Sequence, residues 1–400
     1  MSAPGTSLSP SSRIPALDAL RGLAVIGIVP MNVIAFSMPP AAYINPRAYG
    51  GDGPVEVALW AVSFVLIEDK FRALFAMMFG AGVAILLGKE TAHSLRGHYR
   101  RMMVLLVIAM LHAILLANND VLRSYALAGL LLPIVVRWRV RTLLWSAAAV
   151  MAVQLAFSAW YTWGWLTSLD NPAAQAVAES LYGNSPQALA DATARAEEGL
   201  GERVVRRFAG IAQQARFVIA SLPSALAAML AGIALWRSGL LAAQWERGRA
   251  LRLAAICAVV ALPVLAGLAA WSIASGFDPI VTTANALVWS APFDLLLGVG
   301  WAALAIALLA GRPAGRLAAA GRMALTNYLA TSLVFAALFF GWGLGLYGVS
   351  RVEALLLALI PIAAMLTWSP LWLARFRQGP AEWLWRSASQ GRILSLIRRP

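Results

Sequence analysis

The sequence predicts an all-α polytopic membrane helix bundle, with about ten transmembrane helices and both termini cytoplasmic. Three observations predict it. Of the 400 residues, 60% are apolar and only 12% are charged, against roughly 25% charged in a soluble domain, so the chain cannot cover a water-facing surface. Mean hydropathy is +0.73. Apolar runs of the length that crosses a hydrocarbon core, about 20 residues at ~1.5 Å each, recur along the whole chain. A soluble domain, a disordered chain, a collagen-like repeat and a nucleic-acid binder are excluded. The lone Cys257 rules out a disulfide framework or a cysteine cluster, and three histidines (His93, His98, His112) argue against a multi-histidine site, so no metal is expected.

In chain order the candidate spans are 15–36, 71–88, 101–118, 121–137, 142–165, 214–236, 251–273, 284–310, 323–347 and 352–374. The run 55–67 is apolar but short and ends in Glu68, Asp69, Lys70 and Arg72. It reads as an interfacial or re-entrant helix near 55–69 on the outer side. Charge decides that reading. With the N-terminus inside, Arg100, Arg101, Arg139, Arg237, Arg249, Arg322, Arg375 and Arg377 fall on the cytoplasmic side, while Asp52, Glu56, Asp170, Glu197, Glu202 and Asp278 fall outside, as the positive-inside rule requires. Counting 55–67 as a crossing would invert that distribution. The net charge of +14 is therefore topology, and attraction to an anionic inner leaflet.

The chain divides into a Ser- and Pro-rich cytoplasmic tail (1–14), expected to be disordered, one transmembrane domain (15–374) and a cytoplasmic amphipathic tail (375–400). The first segment lacks a charged n-region and a cleavage site, so the first span is expected to stay in the mature protein. The longest polar loop, 167–213, is placed outside. Within it 172–181 and 186–198 read as short amphipathic helices separated by Gly183-Asn184-Ser185. A loop this long suits a cover or a docking surface as well as a plain connector.

The first span opens with Leu17-Asp18-Ala19-Leu20-Arg21-Gly22 and reaches Asn32. Eleven steps of ~100° put Arg21 and Asn32 within about 20° of one face and about 16 Å apart along the axis. Asp18 lies one turn before Arg21 and can pair with it. Read functionally, Arg21 meets a phosphate or carboxylate arriving from the cytoplasm; read structurally, the pair anchors a helix end. Glu68, Asp69, Lys70 and Arg72 abut an apolar span and must be paired or face a wet cavity. Gly80 and Gly82 offer a small-residue face to a neighbouring helix.

His112 lies mid-span, where an imidazole suits proton transfer; the alternative is a buried histidine bonded to a backbone carbonyl. Asp120, across the Asn118-Asn119 turn, can serve either His112 or Arg123, and Tyr125 follows. Arg216, Asn285 and Asp294 lie in or near spans and need partners. The ninth span opens on Arg322, Thr326, Asn327 and Tyr328, and 379–386 is an aromatic interfacial segment. The glycines of 343–348 match GxGxxG only formally, with no preceding strand. Walker, HExxH and GxSxG motifs are absent.

Leu17-Asp18-Ala19-Leu20-Arg21-Gly22 with Asn32, Asp69-Lys70-Phe71-Arg72 with Phe79-Gly80, and Arg100-Arg101 with His112 together resemble the YeiB-like family of bacterial inner-membrane proteins, a domain of unknown function. Asp120, Tyr125, 321–329 and 379–386 complete the resemblance in the same order, and Thr331 departs from the glutamine expected there. More remotely the pattern is similar to the integral-membrane acyltransferases, which include bacterial polysaccharide O-acetylases and the lysosomal heparan-α-glucosaminide N-acetyltransferase. The O-acetylase branch pairs its first-span arginine with a histidine eleven positions on; here Arg21 matches and Asn32 replaces the histidine. The glucosaminide branch has asparagine there and a catalytic histidine in the next outer loop, where this chain has none.

This remoter resemblance implies acyl-CoA (acetyl-CoA) as co-substrate, no tightly bound cofactor, and a multi-pass protein of the bacterial inner (plasma) membrane. It implies His112 as base oriented by Asp120, Asn32 as oxyanion donor, and Glu68 or Asp69 as substitute carboxylates. Arg21, Asp18, Arg322, Asn327 and Tyr328 would then hold the acyl-CoA, and Lys70, Arg72, Arg123 and Tyr125 the acceptor. The expected function is acyl transfer from cytoplasmic acyl-CoA to a hydroxyl or amine of a small-molecule or glycan acceptor near the outer face. Arg21, Asn32 and His112 should then line one wet passage. A transporter that uses the same charges as a proton and substrate path is one alternative, and a non-catalytic scaffold is another. The bilayer is the expected partner, and a homo-oligomer is left open.

Overall fold

Proline in a first turn, where its missing N–H removes no helical bond, starts α1 (Pro15–Ser37), α3 (Pro54–Leu66), α8 (Pro172–Tyr182), α9 (Pro186–Glu197), α13 (Pro279–Ala284) and α19 (Pro380–Gln390). The computed structural model describes residues 14–51, 53–88, 92–117, 120–312 and 314–398. The expected tail up to residue 13 and the Asn118-Asn119 turn lie outside the described residues. The remaining helices are α2 (Ala41–Ile44), α4 (Lys70–Leu87), α5 (Ala92–Leu115), α6 (Val121–Val135), α7 (Val140–Leu166), α10 (Leu200–Ala209), α11 (Ile211–Arg237), α12 (Arg247–Ala274), α14 (Ala291–Leu309), α15 (Gly315–Arg322), α16 (Ala324–Phe339), α17 (Arg351–Leu357) and α18 (Leu359–Arg375). A π-helical turn, Asn285–Trp289, joins α13 to α14. The architecture is an all-α polytopic bundle, as expected.

Among the described residues eight stretches are long and apolar enough to cross a bilayer: Pro15–Ser37, Pro54–Leu87, Leu95–Leu115, Val140–Leu166, Ile211–Arg237, Arg247–Ala274, Ala291–Leu309 and Arg351–Arg375. The pair α15–α16, bent by 82° at Met323, supplies up to a ninth. The run 55–67 forms a short helix of its own, α3, which ends at Leu66 before α4 begins at Lys70, although the two together make one apolar stretch of 34 residues, Pro54–Leu87. The expected span 121–137 is the 15-residue α6, about 22 Å long and so shorter than the ~30 Å core.

Glycines set the closest helix crossings. A β-carbon on Gly80 of α4 would overlap the Met229 backbone of α11, and one on Gly232 would overlap Met77. The small-residue face read from the sequence is thus real at Gly80, whereas Gly82 faces the Arg21 guanidinium. Gly22 of α1 and Gly321 of α15 interlock in the same reciprocal way, each against the other helix's backbone. Backbones that close need no side-chain bulk between them, which is how apolar helices gain contact in lipid. α4 and α11 are buried over half or more of their most apolar windows, while α7 is buried over only 17% of its own. Exposed Trp145, Val153 and Trp160 of α7 and Ile256 and Val259 of α12 form the apolar surface that lipid covers.

The amphipathic tail helix α19 docks back on the bundle. Glu382, 8% exposed, accepts from the Leu325 and Thr326 amides at 2.7 and 3.2 Å and from the Thr326 hydroxyl. It therefore caps α16 where the chain bends at Met323. Burial pushes its carboxyl above the ordinary range, and these hydrogen bonds pull against that shift. Trp385 donates to the Arg101 carbonyl at 2.8 Å. Two outcomes follow for thermal unfolding in detergent. Gly80→Val and Gly321→Val each lose about 1–3 kcal/mol of stability by overpacking, whereas Gly267→Ala, with open space around it, does not. Glu382→Ala costs about 1–2 kcal/mol, as lost caps do, and Glu382→Gln less.

Candidate functional site

The helix break between α3 and α4 builds the first part of the site. Asp69 sits at φ 56 in the left-handed region, which aspartate tolerates better than most residues. Ending a helix inside an apolar bundle strands carbonyls. Here side chains take them up: Lys70 Nζ donates to the Phe64 carbonyl, and Trp301 Nε1 to the Leu66 carbonyl at 3.0 Å. Lys70, 1% exposed, also pairs with Asp294 of α14 at 2.6 Å. Arg72 pairs with Asp69 at 2.7 Å and donates to the Tyr43 hydroxyl at 3.0 Å. The Tyr125 hydroxyl donates to the Arg72 carbonyl at 2.8 Å. Glu68 is buried in the same break.

Above these charges lies a cavity of about 560 Å³, within the usual ligand-site range. Its walls follow helical periodicity: Met151, Gln154, Ser158, Tyr161 and Trp165 from α7, and Phe217, Ala220, Ser221, Ser224 and Ala228 from α11. Asp69 at the break, Arg72 and Ala76 of α4, Ser124 and Tyr125 of α6, and Asp294 of α14 add to them. α8, from the long loop, lines one side with Ala178, Leu181 and Tyr182. The walls are mostly apolar; their polar groups include two pairs, Ser124–Ser221 at 2.6 Å and Ser224–Gln154 at 2.7 Å, the hydroxyls of Ser158, Thr162 and Thr283, and the charges of the break.

The second part of the site is the turn of the α5–α6 hairpin. Asp120 caps α6, accepting the Leu122 amide at 2.9 Å through Oδ1, and accepts the Tyr328 hydroxyl at 3.1 Å on the same oxygen. Its Oδ2 lies 3.4 Å from His112 Nδ1. His112 is 4% exposed, and neither ring nitrogen has a hydrogen-bond partner among the described residues. Its ring sits 5.3 Å from that of Tyr328. Phe75 lies between the two parts, 6.3 Å from the Tyr328 ring and 5.9 Å from the Tyr125 ring. Tyr125 lines the cavity, whereas Tyr328 lies against the histidine.

The expected residues thus fall into groups. His112, Asp120 and Tyr328 meet, as do Glu68, Asp69, Lys70, Arg72 and Tyr125, and Arg123 donates to Gln214 at 2.8 Å. Arg21, Asn32 and His112 are not among the residues that line this cavity. Arg21 is paired with Asp18 at 3.1 Å beside the α1–α15 crossing, and the half-buried Asn32 lies elsewhere on α1. Asn327 is spent on helix packing. Its amide donates to the Ala320 carbonyl and Ser369 at 3.0 and 3.1 Å and accepts from Trp368 at 3.0 Å. Arg322 reaches the Arg377 carbonyl at 3.4 Å. Asn285 finds Ser272 and the Leu268 carbonyl, and Asp294 finds Lys70. Gln154, Ser221, Ser224 and Thr283 were not singled out by sequence, and nothing in their local spacing marks them.

Fold, buried charges and cavity together define a multi-pass membrane protein with a polar interior. Residues 235–392 match the family model described as a protein of unknown function (DUF418). Over 387 residues the chain is 31% identical to "Uncharacterized protein YeiB" of Escherichia coli (strain K12), covering 92% of this chain and 94% of that protein. It is 28% identical to "Uncharacterized protein YxaH" of Bacillus subtilis (strain 168), over 96% of each. The chain belongs to the YeiB-like family, whose function is unknown. No solved structure matches it.

The buried pair gives a sharp expectation. Lys70→Met leaves Asp294 an uncompensated buried charge and costs about 3–5 kcal/mol, whereas Lys70→Met with Asp294→Leu recovers much of that. Melting temperatures of the single and double variants check it; additive losses would contradict the pairing.

Proposed function

We propose that the protein is an acyl-CoA-dependent acyltransferase of the bacterial inner (plasma) membrane, acting on a hydroxyl or amine of a small-molecule or glycan acceptor, with both termini cytoplasmic. The observation that carries this reading is the buried His112–Asp120 pair, with His112 Nε2 left without a partner among the described residues. A base whose second nitrogen faces a carboxylate is the arrangement that activates a weak nucleophile. Asp120 favours the tautomer protonated on Nδ1, which leaves the Nε2 lone pair for the acceptor proton. Tyr328, donating to Asp120, holds the carboxylate in place.

In the proposed step Nε2 takes the acceptor's proton as its oxygen or nitrogen attacks the thioester carbonyl. The tetrahedral adduct collapses by breaking the carbon–sulfur bond, and the imidazolium returns the proton to the departing CoA thiolate. Arg21, part-exposed beside Asp18 at the arginine-rich end, is the proposed contact for the CoA phosphates. Removing a positioned general base lowers rates about 10²–10⁴-fold. Purified protein with radiolabelled acetyl-CoA should therefore show hydrolysis or transfer that His112→Ala reduces by that order and Asp120→Asn reduces less, with both variants eluting as the parent does. Unchanged turnover in His112→Ala would remove the mechanism.

A second reading rests on a different observation, the Lys70–Asp294 pair and Glu68 buried in the Pro54–Leu87 stretch. Ionisable groups at such positions also serve proton-coupled transporters. Counterflow in proteoliposomes that survives His112→Ala and fails in Asp294→Asn, without acyl transfer, would favour it.

A further inference from the structure

We propose that the cavity between α7 and α11 is a binding site for a chain-bearing amphiphile with an uncharged or zwitterionic, hydrogen-bonding head, admitted sideways from the bilayer. α7 buries only Leu143, Ala147 and Met151, all towards one end. α11 buries an almost continuous run over 225–235 but only Val218 before it. The two helices therefore pack together at one end and part at the other, and the cavity opens where they part. Phe157, Tyr161 and Phe217 line the cavity yet are 69%, 65% and 45% exposed, so its rim reaches the lipid-facing surface.

The walls select the occupant. Apolar surface of this extent does not hold water well. A volume of 560 Å³ accommodates little more than one turn of a partner helix at its ~10 Å diameter, too little to seat a transmembrane segment. An alkyl chain fits a narrow apolar slot without that bulk. The charges that reach the cavity are neutralised within the protein, Arg72 by Asp69 and Asp294 by Lys70. A net-charged head would have to break one of these pairs, which is costly in an apolar interior. A neutral head only exchanges hydrogen bonds with the Ser124–Ser221 and Ser224–Gln154 pairs and with the buried Thr283 hydroxyl, which has no partner among the described residues. His112 is not among the residues that line the cavity, and the proposal holds whether or not His112 is catalytic.

The test uses the full chain in nanodiscs, with diazirine-bearing alkyl glucoside, alkyl phosphocholine and fatty acid as probes and peptide mapping of the labelled positions. The neutral and zwitterionic probes should label peptides carrying Gln154 and Ser221. Ala220→Trp, which fills the cavity from an exposed position, should cut that labelling about tenfold, the equivalent of 1.4 kcal/mol. Val259→Trp, on the lipid face of α12, should not. Ser224→Ala should weaken the glucoside probe without changing elution or melting. Labelling unchanged in Ala220→Trp, or spread evenly over α7 and α12 as annular lipid, would overturn the site. Preferential labelling by the fatty acid would overturn the head assignment.

Discussion

An ionisable side chain inside an apolar bundle must find an opposite charge or a polar partner, and the α3–α4 break shows how much of this molecule follows from that need. Breaking a helix strands carbonyls, and a lysine is well placed to serve one of them. Lys70 does so at Phe64, but its charge then requires Asp294, which ties α4 to α14. Arg72 and Asp69 neutralise each other one turn on, and Tyr125 and Tyr43 bind that pair to α6 and to the segment after α1. The floor of the cavity is thus a by-product of satisfying a helix end. Its apolar walls raise the cost of leaving any of these groups unpaired.

Phe75 and Tyr125 divide the interior into two compartments of different chemistry. On one side most of the polar groups are already paired with one another and the volume is open. On the other, His112 is enclosed and has spare hydrogen-bonding capacity. A proton-transfer group benefits from a dry site, where its interactions are not diluted by water. A binding pocket for an amphiphile benefits from contact with the bilayer. Under the two proposals these demands are met side by side, with Tyr125 fixed in the cavity wall by its bond to the Arg72 carbonyl.

Much of this architecture was legible in the sequence, and what was not has definable causes. Composition and arginine placement give the membrane bundle because they are sums over the chain. The Gly80 crossing was readable because close helix contact demands a small residue, and the helices beginning at Pro172 and Pro186 because proline marks a first turn. Sequence left Asp120 between His112 and Arg123; three-dimensional placement of Tyr328, some 200 residues on, is what orients its carboxylate. α10 escaped notice because its arginines read as loop charge. Gln154 and Ser224 stand 70 positions apart, so only the fold could pair them.

The sequence pattern shared with the family then separates into two kinds of residue. Gly22 with Gly321, Asn327 with Ser369, and Glu382 with Thr326 each close a helix crossing or a helix end, and each is satisfied within the protein. They account for much of the pattern in the first span, 321–329 and 379–386, without any ligand. Arg72, Tyr125, Asp294, His112 and Asp120 differ, since among the described residues they line an open volume or retain unused hydrogen-bonding capacity. A polar residue in a transmembrane helix therefore earns functional weight only after its packing role has been subtracted. By that measure the α3–α4 break and the α5–α6 turn are where the proposed functions are to be tested first, while Asn327 and the Arg21–Asp18 pair already have a place in the helix frame.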